Sequence, residues 1–173
     1  ADGGRLGFRA LRMDAAALVA AFSGVGERKL AVADVAAIRF RSDRVVPLGG
    51  LDPAKVVEYG VFDKVFAHRR DRAVGGGPLR MGGTTYERGL GVHSTCELHY
   101  ELGGTYGTFV TLAGIDDAVR PRGDATLTVL GDGKTLAGPM RLRGTEPAQR
   151  VRADVKGVQR LVIRVGFGED GLD

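Results

Sequence analysis

At 173 residues, with 43% hydrophobic and 27% charged side chains, the chain suits one large domain or a domain with a smaller companion, and it excludes a disordered polymer. Its formal charge of +4 is interspersed, with eight basic and five acidic residues in 1–45 against seventeen and sixteen in 46–173; with 6% aromatics and no Trp, this excludes a clustered phosphate-tracking surface. The single Cys excludes an internal disulfide, no apolar run nears the roughly 18 residues of a membrane-spanning helix, and 28 glycines favour short strands joined by turns.

The first 45 residues hold three apolar stretches, "RLGFRALRM", "AALVAAF" and "KLAVADVAAIRF". Good helix formers behind Asp14 make "MDAAALVAAF" a rival helix. Strands are the preferred reading, because the turn "SGVGE" is followed by "ERKLAV", where Leu30 and Val32 alternate with Lys29 and Ala31. The expectation for 1–45 is a small β-meander, part of an Sm-like or SH3-like barrel. A boundary is placed near Arg44–Pro47.

Between Ser42 and Gly83 the pattern breaks into the loop sequences "LGGLDPAK" and "AVGGGPLRMGG", with a short amphipathic piece, "PAKVVEYGVFDKVF", between them. From Tyr86 onward strand signals recur at the spacing of a β-sandwich. "CELHYEL" places Cys96, Leu98, Tyr100 and Leu102 on one face and Glu97, His99 and Glu101 on the other. "TFVTLAGID" is apolar on both faces, the pattern of a central strand. "ATLTVLGDGKTL" turns at Asp132-Gly133, a pair that tolerates positive φ. "QRVRADV" points Val151, Ala153 and Val155 inward, and "QRLVIRVGF" closes an all-β unit over 46–173.

"GLGVHSTCELHYEL" (Gly89–Leu102) spaces His93, Cys96 and His99 at intervals of three, as metal ligands sometimes are. Strand parity separates Cys96 from the two histidines, which lie about 20 Å apart on an extended chain, too far for one metal. Cys96 then reads as a small core residue and His99 as a solvated-face residue. His93, in the glycine-jointed approach, is divided between structural hydrogen bonding and ligand contact. Asp116 and Asp117 cannot flank a scissile bond from adjacent strand positions; they suit turn formation, a sugar hydroxyl or a hard cation. "GDGK" lacks the remaining residues of a phosphate loop, and no GxSxG, HExxH or CxxC occurs.

The series "RDRAVGGGPLRMGGTTYERGLGVHSTCELHYEL", "FVTLAGIDD", "LTVLGDGKTL" and "VKGVQRLVIRV" resembles one family, the NPCBM/NEW2 domain at the N-terminus of family 98 glycoside hydrolases. The positions that carry the resemblance are Tyr86, Gly89, Gly91, His93, Tyr100, Leu102, Gly114, Asp116, Asp117, Asp132 and Gly133, within Val46–Asp173. It implies a jelly-roll β-sandwich of the galactose-binding-domain type, which binds terminal galactose-type sugars through loops at one end and holds a structural Ca²⁺. It also implies a pattern that continues past Asp173 with an acidic segment and an Asp-Trp strand. Without Trp, any stacking platform must be Tyr, Phe or Arg.

The expected function is a non-catalytic carbohydrate-binding module accessory to a glycoside hydrolase. Its setting is a multidomain bacterial protein, extracellular, periplasmic or on the cell envelope. Its partners are glycans and neighbouring domains of the parent, with no nucleic acid and no membrane insertion. Candidate ligand-binding residues are His93, Asp116, Asp117, Arg120, Arg69 and Arg70, with Asp117 the candidate Ca²⁺ ligand. The alternative is a scaffold sandwich that binds another protein domain and no sugar.

Overall fold

The computed structural model describes residues 8, 10–13, 17–22, 24–35, 44–60 and 65–169. The chain divides into two compact units, Ala1–Val45 and Val46–Asp173.

The first unit contains an antiparallel meander of β1 (Ala10–Met13), β2 (Ala17–Phe22) and β3 (Gly26–Ala31). From Ala17 onward the rival helix is therefore a strand, with Ala17, Leu18 and Ala20 buried. Gly24 and Gly26, at φ 79 and 78, let the chain turn through a left-handed conformation that a side chain would strain. The alternation expected to run through Val32 stops at Ala31. Ala17 opposite Ala31 is the last pair of that ladder among the described residues. Val32 instead opens a 3-10 turn and is exposed. The first and last portions of the two outer apolar stretches, at 5–7, 9 and 36–40, lie outside the described residues.

In the second unit the strands are short and follow one another in chain order. β4 (Lys55–Glu58), β5 (Arg69–Arg70), β6 (Leu79–Met81), β7 (Thr84–Tyr86) and β8 (Leu90–Gly91) come first. They are followed by β9 (Cys96–Glu101), β10 (Thr108–Ala113), β11 (Asp124–Gly131), β12 (Lys134–Arg143), β13 (Gln149–Asp154) and β14 (Arg160–Phe167). An antiparallel sheet of order β12-β11-β14-β9-β4 forms one layer, and β10 paired with β13 forms the other. Two small pairs, β5 with β8 and β6 with β7, flank them.

Period-2 alternation fills the space between the layers. Leu98 and Tyr100 of β9, Val129 of β11 and Leu161 of β14 meet Val151 and Ala153 of β13 in one core. Each large apolar side chain buried there stabilises the fold by about 1.5–3 kcal/mol. Cys96, Leu98, Tyr100 and Leu102 face this core, as parity requires. The β11–β12 hairpin turns at Asp132 and Gly133, both with positive φ (49 and 81).

Three expectations need correction. "TFVTLAGID" is not a central strand: β10 pairs only with β13 among the described residues, and Val110 and Leu112 are 47% and 46% exposed. Phe109 and Ala113 pack against the core, while the alternate apolar residues Val110 and Leu112 face out, with no third layer over them among the described residues. His99 is not simply solvated. Its side chain is 16% exposed, held by Glu97 (Nε2 to Oε2, 3.2 Å) and flanked by Val162 and Lys55 in the neighbouring strands. Finally, "AVGGGPLRMGG" is not loop throughout, since its Leu79–Met81 forms β6; ahead of it "PAKVVEY" supplies an edge strand, in which Ala54 and Tyr59 extend the β4–β9 ladder through N–H bonds to His99 and Thr95 carbonyls (2.8 and 3.1 Å).

Candidate functional site

Strand polarity gathers several loops at one rim of the sandwich. Cys96 opposite Val165 and Asp124 opposite Arg143 put the start of β9, the ends of β14 and β12 and the start of β11 together. Ala113 opposite Gln149 brings in the end of β10, and the Gln149 amide bonds the Arg141 carbonyl (2.9 Å), joining the layers. Loops 92–95, 114–123 and 144–148 therefore share this rim.

Asp116 and Asp117 sit past the end of β10, where they fasten backbone. Asp117 Oδ1 and Oδ2 accept the Gly82 and Gly83 N–H groups (2.7 and 2.8 Å), the turn residues between β6 and β7. These bonds, with Arg120 and Arg80 nearby, hold its carboxyl below the usual carboxylate range, against some desolvation. Asp116 closes its own turn by accepting the Ala118 N–H (2.9 Å) and reaches the Arg80 N–H (3.3 Å). Arg120 Nη1 lies 3.9 Å from Asp117, so these three residues form one cluster.

His93 stands on the same rim. Its ring stacks on Phe66 with centroids 4.5 Å apart, and Nδ1–H donates to the Ser94 carbonyl (2.5 Å). The buried Ser94 hydroxyl bonds the Gly166 carbonyl (2.9 Å), tying this approach to β14. Arg69 and Arg70 lie on β5, with no hydrogen bond or ion pair to Asp116, Asp117, Arg120 or His93 among the described residues. Opposite Gly91 and Leu90, they point their side chains apart, and Arg70 pairs with Asp52 (2.5 Å).

A shallow cleft of about 240 Å³ opens beside Ser94, lined by Tyr59, Thr95, Cys96, Glu97, Arg164, Val165 and Gly166. Tyr59 is 68% exposed. Arg164 Nε bonds Glu97 Oε1 (2.7 Å), and although partial burial opposes it, the Arg164 guanidinium and His99 hold Glu97 below the usual carboxylate range. Cys96 lines the floor but is inert: burial and the nearby Glu58 carboxylate push its thiol up to about 12. Tyr59, Glu97 and Arg164 escaped the sequence reading. Outward parity marked Glu97, but nothing in the sequence set Arg164 beside it.

The residues around Asp117 do not fit a calcium ion. Both of its carboxylate oxygens already accept backbone N–H groups, and among the described residues no three His, Cys, Asp or Glu side chains converge as metal ligands. Among the described residues no helix is long and apolar enough to cross a membrane.

A family model for the NPCBM/NEW2 domain matches residues 54–173. The chain belongs to the NPCBM/NEW2 family. Its sandwich is similar to the CBM51 of Clostridium perfringens GH95, solved in complex with methyl-galactose. That likeness has a TM-score of 0.63 at 22% identity, over 72% of this chain and 88% of the other. It is also similar to the CBM51-2 and INT domains of C. perfringens ZmpB, solved with GlcNAc (TM-score 0.66, 23% identity, 90% and 33% coverage). At these identities the likeness establishes the β-sandwich fold of the NPCBM/NEW2 unit. In sequence the chain is 32% identical over 109 residues to a Renibacterium salmoninarum protein named as an endo-alpha-N-acetylgalactosaminidase. The match covers 63% of the chain and 7% of that relative's length.

Proposed function

We propose that the NPCBM/NEW2 unit is a non-catalytic carbohydrate-binding module that takes a terminal galactose-type sugar in the cleft at Tyr59. Membership of the family over residues 54–173 carries the reading. The cleft's chemistry supports it. A pyranose has an apolar C–H face and a rim of hydroxyls, and the cleft offers an exposed aromatic ring, the apolar Val165 and a guanidinium–carboxylate pair. Arg164 retains N–H donors beyond the Nε–H given to Glu97, so it can still bond vicinal hydroxyls. Asp116, Asp117 and Arg120 then shape the rim, and His93 with Phe66 fixes the approach to β9.

The parent is proposed to be a multidomain glycoside hydrolase acting outside the cell or in the envelope, with this unit as an accessory. A sugar held in an open cleft of this size binds weakly, with Kd about millimolar, or roughly 4 kcal/mol. Calorimetry with methyl-galactoside and N-acetylglucosamine, with and without calcium, tests it. Tyr59→Ala is expected to weaken binding about tenfold, or 1.4 kcal/mol, with unchanged Tm because the ring is exposed. Absence of binding to every glycan of an array, with and without calcium, overturns the reading. A scaffold role is the second reading, favoured by the half-exposed Val110 and Leu112 on β10.

A further inference from the structure

The segment Arg69–Arg72, "RRDR", distributes its charges unequally. Arg70 is neutralised by Asp52 (2.5 Å). Asp71, at φ 55, turns back on Gly89, bonding its N–H (3.0 Å) through Oδ1 and its carbonyl (2.8 Å) through the backbone. The two arginines left over both approach one glycine. Arg72 Nη1 donates to the Gly76 carbonyl (3.5 Å), and a Cβ added at Gly76 would lie 3.9 Å from Arg69 Nη1.

Neither Arg69 nor Arg72 has an ion pair among the described residues. Two like charges near one residue repel each other, and an anion placed within reach of both relieves the repulsion. The backbone here is also reachable. The turn 73–77 is closed by Gly76 N–H to Ala73 O (2.8 Å) and Ala73 N–H to Gly77 O (2.9 Å). The N–H groups of Gly75 and Gly77 take no part in it, both residues are exposed, and a Cβ added at either would meet nothing within 4 Å. Guanidinium forks beside free backbone N–H groups are the donor set that oxyanions select.

The geometry points to an anion cradle at Arg69, Arg72 and the Gly75–Gly77 turn, which takes the carboxylate or sulfate substituent of an acidic glycan. The assignment to a glycan rests on the sugar-binding reading above; the oxyanion chemistry does not. Sequence order gives the cradle a relation to the cleft. Arg69 follows His68, whose backbone N–H and ring bond Glu58 (2.6 and 2.9 Å), the residue before Tyr59. The segment that carries the cradle is thus anchored beside the strand that carries the sugar platform.

Two measurements on the whole chain test this separately from sugar binding. In the first, inorganic sulfate and N-acetylneuraminic acid are titrated while the Gly75 and Gly77 amide resonances are followed. Shifts that vanish in the Arg69→Gln/Arg72→Gln double variant support the cradle, and absent shifts overturn it even if neutral sugars bind. In the second, affinities are compared within the matched pairs galactose and galactose-6-sulfate, and lactose and 3′-sialyllactose. The acidic member is expected to bind about tenfold tighter at low salt, an advantage that fades as salt rises. In the double variant the members become equal while the neutral affinity stays. A preference confined to the sulfated or to the sialylated pair names the source of the anion. Equal binding within both pairs by the unaltered chain overturns the glycan assignment.

Discussion

Asp117 accepts the Gly83 N–H at 2.8 Å across 34 residues of chain, so the loop that follows β10 is fastened to the turn between β6 and β7. Asp117→Ala removes this bond and the one from Gly82 without touching the core. Hydrogen exchange at the Gly82 and Gly83 amides is expected to quicken several-fold and Tm to fall modestly, while core amides keep their protection. Unchanged exchange at both glycines contradicts the fastening.

Acid should weaken the sandwich through three aspartates. Backbone N–H bonds from Gly83 and Gly82 lower Asp117, the Arg141 guanidinium lowers Asp124, and N–H bonds from Arg160 and Gln159 lower Asp132. A carboxyl whose folded pKa is depressed contributes stability that is present above its unfolded value, about 3.9, and is lost as pH falls through the folded value. Tm is therefore expected to hold from neutral pH down to about 5 and to drop below about 4. Asp132→Asn should flatten that drop; a Tm curve level to pH 3 is the contrary result.

The unequal packing of two leucines tests the layer arrangement. Leu98 is 0% exposed and Leu112 is 46% exposed. Leu98→Ala should cost about 2–5 kcal/mol in denaturant unfolding. Leu112→Ala should stay within about 0.5 kcal/mol. A large loss at Leu112 means that a further layer covers β10.

Cys96 should resist thiol reagents while the chain is folded. With its pKa about 12, burial keeps almost no thiolate at pH 8. Labelling by a disulfide reagent is expected only after denaturation, and prompt labelling of the native chain contradicts the burial.

Most of the sandwich was legible in the sequence because each strand writes its own parity. Cys96, Leu98 and Tyr100, and equally Val151, Ala153 and Val155, alternate with polar residues, and all six are buried. The Asp132-Gly133 turn was legible for a local reason too, since only a few residue types tolerate its backbone angles. "TFVTLAGID" misled because apolar content records what a strand can bury and not how many layers reach it. Val32 misled because an alternating pattern does not say where a strand gives way to a turn.

The candidate sites were less legible. Asp116, Asp117, Arg120 and His93 were picked out by residue type and motif, and the structure does bring them to one rim. The Asp117 carboxylate proved to be committed to the Gly82 and Gly83 N–H groups, more than 30 residues away, a partnership with no local trace. The cleft at Tyr59, Glu97 and Arg164 joins three strands, and Arg69 and Arg72 both approach Gly76, four or more residues further along the chain. The sequence alone therefore determined most strands after Tyr86, their inward faces, the hairpin turn and the family, because those depend on short-range pattern and backbone preference. Only the tertiary structure decided which charges are neutralised and which stand open, because that depends on strand order and on pairings between residues far apart in the chain.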